Sequence, residues 1–522
     1  MKFKFSLSLL ILIIILLLAA FMRLYMISDY MTFLGDEGRD VLIARDILHG
    51  HFTLLGPRAS AGNFFTGPIY YYMMAPFLWL FNYDPVGPAV MVALFGVATV
   101  WLIYQAGRDF FDKKTGLIAA ALYAVSPLVI TYSHSSWNPN VVPFFAFLTI
   151  YLLYKAVTTV RSWKYYVPVG FFLGICIELH YISLFLAVIV AVSLLLMHRY
   201  LNGKILILPL IKYYLQIFAG FLIGYAPFLA FEIRHGFPNT KTIISFITSD
   251  TTSQQYATYQ NFYQPIADVF FRLFGRLVFH YPSPDLFRSY SVLQLQLFGL
   301  IILVFAVASI VTLVMHKNKF VVILLTAWLV LGVILFGLYK KPIYDYYLVF
   351  MFPLPFLLIG NLIGKALDLK KGKVWYGLGL GSILFVGIFA YNLYYQPFQY
   401  APNRQKAQTE TIAKFVISKT DNKPFNFAML SAGSGNSDYA YVYYLTILGH
   451  QPVMIDNLLS DPQRKTVTDQ LFVVCEYTKC KPPGNPLFEI AGFGQATVWK
   501  SWDVSVVKVY KMVHVTINTY SK

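Results

Sequence analysis

Runs of about 20 predominantly apolar residues recur through the first three quarters of the chain, each long enough to cross the hydrocarbon core of a bilayer. They predict about eleven helical spans, near residues 6–27, 86–107, 116–133, 140–155, 166–181, 182–197, 213–231, 290–315, 320–338, 346–364 and 374–394. Charge is correspondingly scarce. Only 12% of the 522 residues are Asp, Glu, Lys or Arg, about half of what a soluble domain carries.

The formal charge of +17 would suggest nucleic acid in a soluble protein. Here the basic residues fall mainly in short loops between apolar runs, and no basic stripe or aromatic platform accompanies them. Lys2 and Lys4, Arg108, Lys113 and Lys114, Lys155, Arg161 and Lys164, and Lys365, Lys370, Lys371 and Lys373 all fall on one side of the predicted topology. By the positive-inside rule that side is cytoplasmic. The N-terminus is then inside, and an odd span count leaves the C-terminus outside, as in a multi-pass plasma-membrane protein. The apolar stretch 7–22 is long for a signal peptide and has no small-residue cleavage site before Arg23, so it is read as an uncleaved first span.

Two domains are expected: a transmembrane domain over 1–396 and a small α/β domain over 397–522. In the second, extended runs at 425–430, 452–455, 470–474, 496–499 and 504–510 accompany a helix ending near Gly449. Three cysteines make no disulfide framework. Cys176 lies in an apolar run, whereas Cys475 and Cys480 pair if their domain is exported and otherwise stand as two free thiols.

The first predicted external loop, about 28–85, holds the chemistry. Gly35-Asp36-Glu37-Gly38-Arg39-Asp40 follows the first span within about ten residues and opens an amphipathic helix predicted to lie along the outer interface. Gly67-Pro68-Ile69-Tyr70-Tyr71-Tyr72 opens a second apolar helix reaching about Leu80. Two readings of Asp36 and Glu37 stand on the residues alone. They are solvated acids favouring a helix N-terminus, or Asp36 is a partly desolvated base that takes a proton from an acceptor. Arg39 would then balance Asp36 or grip a phosphate.

This arrangement resembles the GT-C glycosyltransferases, and within them the branch of protein O-mannosyltransferases and lipid A aminoarabinose transferases. The resemblance covers about residues 1–395. It rests on Asp36-Glu37-Gly38-Arg39, Ala44-Arg45-Asp46, Pro68-Ile69-Tyr70-Tyr71 and the tyrosine- and proline-rich stretch 346–360. It implies a mainly α membrane fold, a polyprenyl-phosphate-linked hexose, pentose or aminosugar as donor, and inversion at the anomeric carbon. The acceptor is an envelope lipid, glycan or protein on the outer face. It makes Asp36 the catalytic carboxylate, with Glu37 and Arg39 supporting it.

There are departures. Thr66 and Gly67 stand where aminoarabinose transferases often carry a lysine, a charge that Arg58 is positioned to replace. The tip Ser133-His134-Ser135-Ser136-Trp137-Asn138-Pro139-Asn140 lacks the acid that relatives often hold there. A divalent metal is therefore not implied, and the absence of a Trp-Trp-Asp motif argues against an oligosaccharyltransferase.

Further substrate-site candidates are His134 and Asn138 on that tip, Glu178 and His180 near the outer end of the fifth predicted span, and Tyr70, Tyr71 and Tyr346 for sugar stacking. Glu178 and His180 also fit a mutually satisfied interfacial pair. Lys340 and Lys341 either snorkel at a span end or hold the departing lipid phosphate, with Asp345 orienting them. Two rival classes are a transporter or lipid flippase, which would show repeated halves and helices broken at mid-membrane, and a non-catalytic envelope scaffold.

Overall fold

The computed structural model describes residues 6–59, 63–159, 163–248, 259–339, 341–368, 374–432 and 437–515. Lys340, Arg161, Lys370, Lys371 and Lys373 lie outside the described residues. All eleven predicted spans are helical. Among the described residues seven helices are long and apolar enough to cross a membrane, or nine if each of two bent pairs counts as one span. The count of eleven thus exceeds what length and composition support.

The chain divides into two compact units, one of residues 1–25, 52–73 and 89–401, the other of 26–51, 74–88 and 402–522. In the first, the helices Trp163–Leu179 and Ile207–Gly224 pack most closely. Each carries two glycines four residues apart, Gly170 and Gly174 facing Gly220 and Gly224. A Cβ on Gly170 would collide with the Ile217 carbonyl, and one on Gly220 with that of Val167. Small residues at this spacing let helix backbones touch in lipid, where van der Waals packing drives association. The Val292–Val314 helix instead exposes Leu297, Leu300, Val304, Val307 and Val311, an apolar face suited to lipid.

Arg23 is fully buried. Its guanidinium donates to the carbonyls of Tyr123 and Ala124 at 3.3 and 3.0 Å. These close the Lys113–Ala124 helix where the chain bends by 64° into the Pro127–Ser133 helix. Carbonyls at a helix end lack intrahelical partners, so the buried cation satisfies the break. Gly96 admits the arginine because a Cβ there would meet Arg23 Nε and Ser133 Oγ. The bend sets where the tip 133–140 begins.

The second unit holds a four-stranded sheet of β1 (Asn426–Leu430), β2 (Gln470–Cys475), β3 (Ala496–Val504) and β4 (Val507–His514) in the order β1-β2-β4-β3. β1 and β2 run parallel, while β4 runs antiparallel to both β2 and β3. The run 452–455 is not a strand. Leu471, Val473, Met512, Ile490 and Phe493 form the core on one sheet face, and Cys475 and Cys480 are disulfide-bonded at its edge. This unit also takes in the helix Gly35–Leu48.

Candidate active site

The candidate residues fall into two groups, one in each unit. In the second unit the Gly35–Leu48 helix buries Gly38, Val41, Ala44 and Ile47, a face recurring at helical spacing. The amphipathic helix is thus present, but protein covers its buried face: the Tyr439–Ile447 helix packs against it.

The three acids of its first turns have different surroundings. Asp40 is wholly buried and accepts from Arg39 at 2.7 Å. Glu37 is buried and turns back to accept from the Leu34 backbone N–H at 3.1 Å, capping its own helix. The Asp36 side chain remains 52% exposed and pairs with Arg39 at 2.8 Å. One guanidinium therefore bridges Asp36 and Asp40, anchored by the buried acid and steadying the exposed one.

Burial pushes the Glu37 carboxyl up to about 7, with the negative charges of Asp36 and Asp40 adding to the rise and backbone hydrogen bonds opposing it. A carboxyl raised in the folded state binds more protons there than in the unfolded chain. The stability it contributes is therefore complete below its ordinary value near 4.5 and is lost as pH rises toward 7. The loss is expected to be about 2–3 kcal/mol. Thermal unfolding between pH 5 and 8 should show this decline, and Glu37→Gln should flatten it. An equal slope in both proteins would reject the assignment.

In the first unit Glu178 is fully buried. Its carboxylate accepts from the backbone N–H of Ile69 at 3.3 Å and of Phe228 at 3.2 Å, so it caps two helices. Its partners are these backbone groups, not the His180 expected of a mutual pair. The Gly67 backbone N–H donates to the Glu178 carbonyl, and a Cβ on Gly67 would fall within 2.6 Å of the Glu178 side chain. No lysine fits at position 67, which is the physical reason for the departure noted there.

Arg58 is exposed in a short β-bridge with Phe65 and donates to Asn63. Tyr70 and Tyr71 are buried, with the Tyr70 hydroxyl 2.9 Å from Ser136 Oγ. On the tip, His134 is buried 5.7 Å from the Phe398 ring, and Asn138 donates to the Leu179 carbonyl. His180 lies against Tyr181, Tyr346 and Tyr347, and Tyr346 in turn lies 4.5 Å from Trp137. The tip and the start of the late span thus meet in one aromatic wall.

Asp345 accepts from Arg272 at 2.9 Å and Arg276 at 2.6 Å. Two arginines are thus its partners, and the expectation that it orients Lys340 lies outside the described residues. Arg272 also pairs with Asp268 at 2.9 Å, and Tyr259 donates to Asp268 at 2.6 Å. A cavity of about 450 Å³ is lined by Tyr259, Gln260, Gln264, Asp268 and Arg272. A single π-helical turn over Arg272–Arg276 brings both guanidinia to one carboxylate. Lys341 lies between Leu338 and Asp345, where burial lowers its pKa. Among the described residues no three His, Cys, Asp or Glu side chains gather as a metal site would require.

Residues 66–231 match the family described as dolichyl-phosphate-mannose-protein mannosyltransferase. No curated protein matches the sequence. Among solved structures, the fold is similar to that of ArnT from Cupriavidus metallidurans bound to undecaprenyl phosphate, with a TM-score of 0.60, 13% identity and 97% of each chain covered. It is also similar to the oligosaccharyltransferase AglB from Archaeoglobus fulgidus, in complex with an inhibitory peptide and a dolichol-phosphate. There the TM-score is 0.53 and the identity 14%, over 91% of this chain and 70% of that one. The arabinofuranosyltransferase AftD from Mycobacteria matches with a TM-score of 0.54 and 12% identity, over 98% of this chain and 40% of its own. The family match thus covers residues 66–231, and the chain as a whole shares the fold of ArnT, AglB and AftD.

Proposed function

We propose that the protein transfers a sugar from a polyprenyl-phosphate donor to an acceptor on the outer face of the plasma membrane, with inversion. The sugar is a hexose, pentose or aminosugar, and the acceptor an envelope lipid, glycan or protein. The observation that carries this reading is the state of Asp36. Of three clustered acids it keeps its carboxylate accessible, and Arg39 holds it in place.

Asp36 takes the proton from the acceptor hydroxyl or amine as that group attacks the anomeric carbon, and the lipid phosphate leaves from the opposite side. Lys340, Lys341 and Arg58 are the candidates for neutralising the departing phosphate. Tyr346 is half-buried and offers a face for the sugar, whereas Tyr70 and Tyr71 are buried and offer none in this structure. His134, Asn138, Glu178 and His180 shape the surroundings through the contacts described above. The Cys475–Cys480 disulfide supports a C-terminal domain in an oxidising compartment, opposite a cytoplasmic N-terminus.

The test is to incubate purified protein in lipid with a panel of polyprenyl-phosphate sugars and an envelope extract, and to follow loss of each donor. Consumption of one donor with release of the lipid phosphate is expected. An intact panel under conditions where the protein is folded would overturn the reading.

A further inference from the structure

The helix that carries Asp36 is held by residues near the other end of the chain. A Cβ on Gly38 would lie 2.3 Å from the Ala440 backbone nitrogen and 2.5 Å from its Cα, and one on Gly35 would lie 2.2 Å from Ser437 Oγ. Both glycines are buried, one turn apart, so the first turn of the acid-bearing helix lies directly on the start of the Tyr439–Ile447 helix. Neither contact leaves room for a methyl group.

Further contacts within this unit fix the segments around that turn. The Phe33 backbone N–H donates to Gln405 at 3.0 Å, and the Phe33 ring lies against Tyr443 and Tyr444. The Arg404 backbone N–H donates to the Asp29 carbonyl at 2.9 Å. Lys406 pairs with Asp84 at 2.8 Å, and the Tyr443 hydroxyl donates to the Tyr83 carbonyl. A glycine in a helix is less favourable than alanine by roughly 1 kcal/mol, so two glycines in the first turn weaken the helix itself. Their close approach to Ser437 and Ala440 gives that weakness a purpose.

We infer that the C-terminal α/β domain is the positioning device for Asp36, with Gly35 and Gly38 as positioning residues keyed into Ser437 and Ala440. The inference rests on the reading of Asp36 as the base. A misplacement of about 1 Å at a reacting group can lower a rate by about 10²-fold. The backbone of Ala440 cannot yield to a new methyl without such a shift.

The experiment uses the full chain in lipid, with the donor found to be consumed in the panel above. Gly38→Ala is expected to lower kcat by about 10²-fold while the donor KM and the binding of free polyprenyl phosphate stay within about twofold. Gly35→Ala should also lower kcat, and adding Ser437→Gly should recover part of it, because the serine oxygen is the nearest obstacle. That coupling is a signature that separate local defects do not give. The Gly35→Ala and Ser437→Gly pair also serves if Gly38→Ala fails to fold. Near-normal kcat in Gly38→Ala or Gly35→Ala, alongside an inactive Asp36→Asn, would overturn the positioning role and leave the base assignment standing. An active Asp36→Asn would overturn both.

Discussion

Asp36→Asn is expected to lower sugar transfer by about 10²-fold or more while leaving insertion and lipid-phosphate binding intact. The change keeps the size of the side chain and removes its basicity. The amide can still accept a hydrogen bond from Arg39, which remains anchored by the wholly buried Asp40. The local frame should therefore survive, and the loss should appear in kcat rather than in donor KM. Single-turnover transfer measured beside polyprenyl-phosphate binding separates the two. Near-normal transfer by a folded variant would remove the base assignment and make Glu37, the neighbouring acid with a raised pKa, the next residue to test.

Asp345→Ala is expected to cost about 2–4 kcal/mol of stability. Asp345 is 9% exposed and lies between Arg272 and Arg276, themselves 15% and 19% exposed. Removing it leaves two poorly solvated guanidinia facing each other without a shared counter-ion. Among the described residues Asp268 remains, and it pairs with Arg272 and not with Arg276. Thermal unfolding in detergent should show the drop, and Arg276→Met in the Asp345→Ala background should recover part of it. An unchanged unfolding temperature in Asp345→Ala would show that the cluster contributes little.

Much of this was legible in the sequence for physical reasons. Long apolar runs and the basic loops between them announce helices in lipid whatever their packing. The strands of the small domain follow from short β-rich runs in a stretch where charge, Asn, Pro and Gly return. Of the residues that carry the resemblance to GT-C enzymes, Pro68-Ile69-Tyr70-Tyr71 fall within the family match at 66–231, and the fold is similar to that of ArnT.

What could not be read was partnership. Sequence proximity suggests the adjacent lysines for Asp345, but its arginines lie about 70 residues earlier, between the predicted spans 213–231 and 290–315. The i, i+4 spacing of Asp268, Arg272 and Arg276 was the available signal. The glycine pairs 170/174 and 220/224 likewise stood in plain sight as a helix-packing pattern. Glu178 sits at a span end in sequence and at the start of two other helices in space, a fact that only the fold supplies. Arg23 looked like one more residue of the first span, and it is a buried cap on a helix break about a hundred residues away.

The acid-bearing helix has a consequence for how the protein is made. It emerges from the ribosome early, whereas its packing surface follows about 400 residues later. A 14-residue helix opening with two glycines is marginal on its own. Throughout synthesis and membrane insertion the motif therefore lacks its final support, and a chain cut short before Ala440 never acquires it.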